Sequence, residues 1–362
     1  MQTLSKILDC FELASSVREI ETISNGFINA TYKVICEQNT YILQKINVNV
    51  FPNVDVLMNN ISLVTNHIFD KTGRGMFVVP TKSGELYIKE QDSYFRVYNF
   101  VENSVVYNSV DKPETFYRAG VGFGRFQNLL ADFDATQLVD VIEDFHTTPK
   151  RLANFRDAVQ KNTANRVKNA ENEIRYLEQN AEVAGLIYDK LISGELPYRV
   201  THNDTKLNNI LFDADTNEPI CAIDLDTVMK GSVLYDVGDA IRYGANPAGE
   251  LGTDAEKVYL DFKLYQAFVE GFLKETYSVL SPMEIDMIPE SVVVMTYELA
   301  LRFLEDYLRG DVYFGEAFEG INLQRTKAQI DLMKDVLAKI PKLKQITKDC
   351  YNKLTKGNKK CD

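Results

Sequence analysis

The order of apolar and polar positions divides the chain into two stretches of different character. In the first, short apolar runs alternate with polar turns. Leu4, Ile7, Leu8 and Phe11 fall at i, i+3, i+4 and i+7, which predicts an amphipathic helix over 4–11. Residues 20–23, 30–36 and 41–46 read as strands, the first two separated by the turn signal Ser24-Asn25-Gly26. Val54, Val56, Leu57, Ile61, Val64 and Ile68 predict a helix over 52–69, and two further strands follow at 86–89 and 93–101. This is a small antiparallel meander with one helix set into it.

From about residue 110 the pattern becomes helical. Phe116, Ala119, Phe123, Phe126 and Leu130 place a helix over 113–130. Thr147-Thr148-Pro149 punctuates the chain, and the charged stretch 150–192 suits packed antiparallel helices. Residues 234–243, 256–274, 283–309 and 320–340 read as further helices, with Pro341 as the stop for the last. The tail, 354–362, is basic and polar and is expected to fray. The fold class expected is therefore α+β, a sheet-based lobe followed by a mostly helical one.

A chain of 362 residues is long enough for two lobes with a large core. The net charge of −12 speaks against nucleic acid as a partner, because phosphate backbones call for a basic surface. No run reaches the roughly 18 apolar residues of a membrane span. Cys10, Cys36, Cys221, Cys350 and Cys361 form no C-x-x-C pair, and the start Met1-Gln2-Thr3-Leu4 is not a secretory leader, so a reducing cytoplasm is expected. His67, His146 and His202 are too scattered for a histidine metal site.

The chemistry lies between 200 and 226. A polar loop, His202-Asn203-Asp204-Thr205-Lys206-Leu207-Asn208-Asn209, interrupts two apolar runs. After a turn at 213–219, a second apolar run ends in Asp224-Leu225-Asp226. A hairpin would bring Asp204, Asn209 and Asp224 to one edge. Phosphoryl transfer needs such groups: a carboxylate to accept the proton of the attacking hydroxyl, and hard oxygens to hold Mg2+ against the phosphates. His202 to Asn209 has the spacing of the kinase catalytic loop H-R-D-x-x-x-x-N, with Asn203 in place of Arg. Either piece alone could be an ordinary surface turn or a strand end. Their combination is what makes the pattern specific.

These residues, together with Gly231-Ser232-Val233-Leu234-Tyr235-Asp236-Val237-Gly238-Asp239, resemble the aminoglycoside phosphotransferase and choline kinase superfamily. Tyr41-Ile42-Leu43-Gln44-Lys45-Ile46-Asn47, Arg96-Val97-Tyr98, Arg302-Phe303-Leu304 and Gly310-Asp311-Val312-Tyr313-Phe314 are most similar to the bacterial N-acetylhexosamine 1-kinases within it. The resemblance implies a bilobal protein-kinase-like fold, with a nucleotide lobe and hinge over 1–103 and a helical lobe over 104–353. It implies ATP and Mg2+, Asp204 as general base, Asn209 and Asp224 as metal ligands, and Asp226 as a helper. His202 and Asp236 would brace the loop, and Lys206 would steady the transferring group.

For the nucleotide, the resemblance implies the loop carrying Gly26, Asn29 and Thr31, the hinge Phe100-Val101-Glu102, and a phosphate-facing residue on the third strand. Alternation lets only one of Gln44 and Lys45 face the cleft, with Lys45 the obvious cation. The helix over 52–69 has no glutamate to pair with such a lysine, and offers Asn59 and Asn60 instead. For a sugar, it implies Phe27, Arg302 and Tyr313 beside Asp204 and Asp224. The plainer roles for the last pair are a salt bridge from Arg302 to Glu305 or Asp306 and core packing for Tyr313. The reaction expected is phosphorylation of the anomeric hydroxyl of N-acetylglucosamine or N-acetylgalactosamine. Alternatives are a kinase for an aminoglycoside, choline, ethanolamine or homoserine, or a nucleotide-binding pseudokinase.

Overall fold

The computed structural model describes residues 2–23, 28–252, 254–315 and 318–358. A short helix, α1 (Gln2–Leu8), precedes three antiparallel strands, β1 (Val17–Ile23), β2 (Ala30–Cys36) and β3 (Thr40–Ile46). Helix α2 (Val54–Thr72) follows, then β4 (Val78–Val79), β5 (Ile88–Glu90) and β6 (Ser93–Asn99). The sheet order is β1-β2-β3-β6-β4, with β5 also on β6.

Register decides what each face of this sheet carries. Thr31, Gln44 and Arg96 are directly opposite one another across β2, β3 and β6. They lie on the face that also bears Ile42, Ile46 and Tyr98, against α2 and the main core. The other face carries Val34, Tyr41, Leu43, Phe95 and Val97, closed over by Ile7, Leu8 and Phe11 in a second, smaller core. Phe11 itself lies beyond the helix, in a bridge to Thr81.

The helical lobe begins after β7 (Ser104–Val105) with α3 (Pro113–Leu129). The stretch expected to hold packed antiparallel helices contains α4 (Thr148–Lys161), α5 (Glu171–Gln179) and α6 (Tyr188–Ile192), separated by 3-10 turns. Asn162, in the left-handed region at φ 44°, ends α4. Two small sheets follow: β8 (Arg199–Thr201) pairs with β11 (Met229–Gly231), and β9 (Ile210–Asp213) lies between β7 and β10 (Pro219–Ala222). Helix α7 (Val233–Gly244) leads to α8 (Phe262–Thr276), α9 (Pro282–Asp286), α10 (Ile288–Arg309) and α11 (Ile321–Asn358). Helix α10 is buried nearly all round, as its apolar sequence requires, and packs on α11, α7 and α4.

Three boundaries differ from expectation for identifiable reasons. Asp261 accepts hydrogen bonds from the N–H groups of Lys263 and Leu264, so α8 starts at Phe262 rather than near 256. The helix expected over 283–309 is divided at Met287, with Pro289 in the first turn of α10. Pro341 does not stop α11, which runs on to Asn358 and takes residues 354–358 out of the expected frayed tail. Pro341 is exposed, so the carbonyl left without its N–H partner can reach water. The buried stripe stays in phase across it, from Leu332, Met333 and Val336 to Leu343, Ile346 and Cys350. Among the described residues no helix is long and apolar enough to cross a membrane.

Helices α3 and α8 approach closely because glycines line their contact. A Cβ on Gly271 would lie 2.0 Å from the Tyr117 carbonyl oxygen, and one on Gly120 would lie 2.3 Å from that of Phe268. Gly271→Ala must therefore push backbones apart. It is expected to lower the urea midpoint by the equivalent of about 1–3 kcal/mol, with an unchanged denaturant slope.

Candidate active site

The loop between β8 and β9 is held from below by one carboxylate. Asp236, in the first turn of α7, accepts the His202 N–H at 2.9 Å, the Asn203 N–H at 2.8 Å and the Gln127 side chain at 2.9 Å. Burial pushes its carboxyl up from the usual range, while the His202 ring and the two loop N–H groups resist that. Thr205 adds a bond from its hydroxyl to the Asp236 carbonyl at 2.6 Å. His202 is fully buried, with Nε2 2.8 Å from the Ile223 carbonyl, Nδ1 accepting the Asp204 N–H at 3.3 Å, and ring edges on Phe123 and Phe126. Both ring nitrogens are engaged, which is the geometry of a brace. Asn203 takes a left-handed backbone, φ 65°, that asparagine tolerates. This turns the chain so that Asp204 faces outward.

Asp204 is half-buried and held at both oxygens. Lys206 Nζ lies 2.9 Å from Oδ1, and Asn209 Nδ2 donates to Oδ2 at 3.0 Å and to the Asp204 carbonyl at 2.8 Å. Burial works against the charge on Lys206, but Asp204, Glu250 and Asp239 outweigh it and push its pKa up. Asn209 thus uses its amide nitrogen on the loop, and among the described residues no donor reaches its Oδ1. The Ile223 N–H donates to the Asn209 carbonyl at 2.9 Å, which ties the end of β10 to the catalytic loop. Asp224 follows in the left-handed region at φ 59°.

Asp224 has no hydrogen-bond partner among the described residues. Water reaches its carboxylate, yet protein surrounds it at longer range. That crowding, with the charges of Asp226 and Asp204, pushes its pKa up to about 6, against the pull of His202 and Arg96. Among the described residues no group of three or more His, Cys, Asp and Glu forms a ready cage for a metal. Mg2+ needs none, since it takes one or two protein oxygens and completes its shell with water and phosphate oxygens. Asn209 Oδ1 and Asp224 fit that donor set.

The residues expected on the nucleotide side are placed differently. Asn29 is buried, and both ends of its amide are taken: Nδ2 donates to Asp226 Oδ2 at 2.6 Å, and Oδ1 accepts the Asn47 N–H at 2.9 Å. Thr31 accepts from Gln44 Nε2 at 3.1 Å. Gln44 Oε1 accepts from Arg96 Nε and Nη2 at 3.0 and 2.8 Å. Lys45 is exposed on the opposite face of β3, so pleat alternation removes it from the cleft. Gly26 and Phe27 lie outside the described residues. At the hinge, the Phe100 N–H is bound to Thr40 and the Val101 carbonyl accepts from Ser104 at 2.6 Å. The Val101 N–H has no partner among the described residues, and Glu102 is exposed.

The sequence names Arg96 only within the stretch Arg96-Val97-Tyr98 and gives it no role. It is only 1% exposed and forms an ion pair with Asp226 at 2.5 Å. The available signal was an arginine in the interior of the apolar strand Tyr94-Phe95-Arg96-Val97-Tyr98. Asn60 of α2 is also buried, donating to the Val139 and Val228 carbonyls at 2.7 and 3.0 Å.

Arg302 has neither of the salt bridges considered for it. Glu305 pairs with Arg309 at 3.0 Å, and Asp306 accepts the N–H groups of Tyr313 and Phe314. The Arg302 guanidinium instead lies 5.5 Å from the Phe145 ring, 5.8 Å from Tyr313 and 5.4 Å from Phe314. Tyr313 is 67% exposed and is not a core residue. No hydrogen bond or ion pair among the described residues joins this cluster to Asp204. A cavity of about 260 Å³ borders the catalytic loop at Asn203, and a larger one of about 460 Å³ lies along α11, remote from these carboxylates.

A two-lobed fold that delivers an acid, an amide and a second acid to one cleft defines a small-molecule phosphotransferase. The model of the phosphotransferase enzyme family matches residues 19–268, and the chain belongs to that family. Its fold is similar to that of an aminoglycoside phosphotransferase from Alicyclobacillus acidocaldarius, with 14% identity, 95% of this chain and 96% of that one covered, and a TM-score of 0.60. It is similar to a choline kinase from Cryptosporidium parvum, with 14% identity, 93% and 96% covered, and a TM-score of 0.60. It is also similar to a spectinomycin phosphotransferase solved with ADP and spectinomycin, with 14% identity, 96% and 98% covered, and a TM-score of 0.55. The bilobal, protein-kinase-like architecture expected from the sequence is the one observed.

The raised pKa of Asp224 has a measurable consequence. A carboxyl whose folded value lies above its unfolded value of 3.8 favours folding while protonated, and that advantage is lost as pH rises toward about 6. Thermal unfolding of the metal-free protein is therefore expected to show Asp224→Asn gaining on the wild type between pH 4 and pH 7. A gap that stays constant over that range would contradict the assignment.

Proposed function

We propose that this protein is an ATP- and Mg-dependent kinase that phosphorylates the anomeric hydroxyl of N-acetylglucosamine or N-acetylgalactosamine. The observation that carries the reaction is the meeting of Asp204, Asn209 and Asp224 on two loops joined by the Ile223–Asn209 hydrogen bond. Asp204 orients the acceptor hydroxyl and takes its proton, with Lys206 balancing the carboxylate until it does so. The incoming oxygen and the leaving group lie in line about the γ-phosphorus of ATP. Asn209 and Asp224 would hold Mg2+, which when bound would supply neutralisation of the charge that develops on the phosphates. His202 and Asp236 keep the loop backbone in place and touch no substrate.

The sugar is supported by Arg302 and the exposed Tyr313, together with the resemblance of their stretches to the N-acetylhexosamine 1-kinases. An arginine held by rings rather than by a carboxylate keeps its donors for hydroxyls or an amide carbonyl, and tyrosine offers a flat apolar face. A cation there also disfavours polycationic aminoglycosides.

The test is ATP consumption with Mg2+ over N-acetylglucosamine, N-acetylgalactosamine, choline, homoserine and kanamycin, with phosphorus NMR of any product. An anomeric phosphate from an N-acetylhexosamine is expected. Turnover with amines alone would overturn the sugar assignment, and nucleotide binding without turnover would favour a pseudokinase. Asp204→Asn should lower kcat by about 10²–10⁴-fold while leaving the circular dichroism spectrum and melting temperature nearly unchanged. Arg302→Ala should raise KM for the sugar more than it lowers kcat, measured in the same assay.

A further inference from the structure

A buried cation next to the acidic turn at 224–226 comes from β6 and not from the third strand. Lys45 points away, and the amide of Gln44 is taken up by Arg96 and Thr31. The guanidinium of Arg96 lies on the cleft face, paired to Asp226, with Tyr98 5.1 Å from it and Met58 Sδ 3.8 Å from Nη1. Helix α2 thus meets Arg96 with a thioether and not with a carboxylate. Asp226 is two residues from Asp224, and Arg96 is among the charges that act on the Asp224 carboxyl.

Resting on the reading of this cleft as a nucleotide site, we propose that Arg96 is the phosphate-facing cation of this protein, with Asp226 as its holder in place of a helix glutamate. Three observations carry this. First, the position is right: the guanidinium is paired to Asp226, two residues along the same turn from Asp224, the residue proposed to hold the metal. Second, a buried ion pair is a poor stabiliser, since apolar side chains of similar volume serve as well or better, so a fully buried arginine points to another use. Third, Gln44 and Asn29 hold the pair from both sides, fixing the guanidinium through Oε1 and the carboxylate through Oδ2. Because Asp226 belongs to the helical lobe, the pair joins the two lobes. A lysine–glutamate pair between strand and helix would lie wholly within the first lobe. The sheet therefore reaches the phosphates and the metal-side loop through one side chain.

The experiment compares Mg-ADP and adenosine binding by calorimetry for the wild type, D226N, and the double variant R96M/D226N. Removing both members avoids stranding a buried charge, so the double variant is expected to melt near the wild-type temperature. Its affinity for Mg-ADP should fall by about 10–100-fold relative to D226N, the loss expected for a charge-assisted contact, with adenosine binding unchanged. Adding Q44K, which places an ammonium on the same face, should recover part of the Mg-ADP affinity. Equal losses for adenosine and Mg-ADP would reduce Arg96 to a structural part, and unchanged Mg-ADP affinity would overturn the proposal. A wild type that binds adenosine but not Mg-ADP would also overturn it. Failure to bind either would remove the nucleotide reading itself, and this proposal with it.

Discussion

One buried carboxylate sets the loop that carries Asp204. Asp236 is acceptor-only when ionised, and removing it from water is unfavourable unless its oxygens are satisfied. The N–H groups of His202 and Asn203 and the side chain of Gln127 satisfy them. The same bonds fix the backbone from which Asp204 and Asn209 project. Helix α7 can hold Asp236 there because it packs closely on α10: a Cβ on Gly238 would lie 2.4 Å from the Ser291 carbonyl oxygen. The buried face of α10 therefore positions Asp204 through α7, Asp236 and the loop N–H groups. Each link is too tightly packed or too fully bonded to shift without loss elsewhere.

The two lobes meet across a polar seam. Asn29 and Arg96 converge on Asp226, and Asn60 joins α2 to the Val139 and Val228 carbonyls. Polar links have directional geometry, so they set the spacing between sheet and loops more sharply than an apolar contact could. This matters where a nucleotide touching one lobe must meet an acceptor held by the other. Asp224 is the member of this region without a protein partner among the described residues, and it carries the raised pKa. A carboxylate placed so, beside two others, suits the arrival of a cation.

The side proposed for the acceptor is built from a different material. Asp306 and Asn322 anchor the turn after α10, with Asn322 donating to Asp306 at 3.1 Å and to Asp311 at 2.7 Å. That leaves Tyr313 projecting and Arg302 bounded by aromatic rings. Anchoring by backbone N–H groups fixes the turn without using its exposed side chains, which stay available for contacts outside it.

The sequence by itself determined the fold class, the central strands and the hairpin that joins the two acidic stretches, because each is written in local pattern. Period-2 and period-3.6 apolar spacing marks strands and helices, and the Asp204-to-Asn209 and Asp224-to-Asp226 spacings mark a hairpin edge. Pro341 misled because a local rule about a missing N–H ignores the packing on either side, and a continuous buried stripe carries α11 through it. What only the tertiary structure decided was partnership. Alternation says that Gln44 and Lys45 face opposite ways, but not which way is the cleft. Nor does the sequence pair Arg96 with Asp226, 130 residues further along the chain. Such pairs arise from surfaces brought together by burial elsewhere, and local spacing contains no term for the partner.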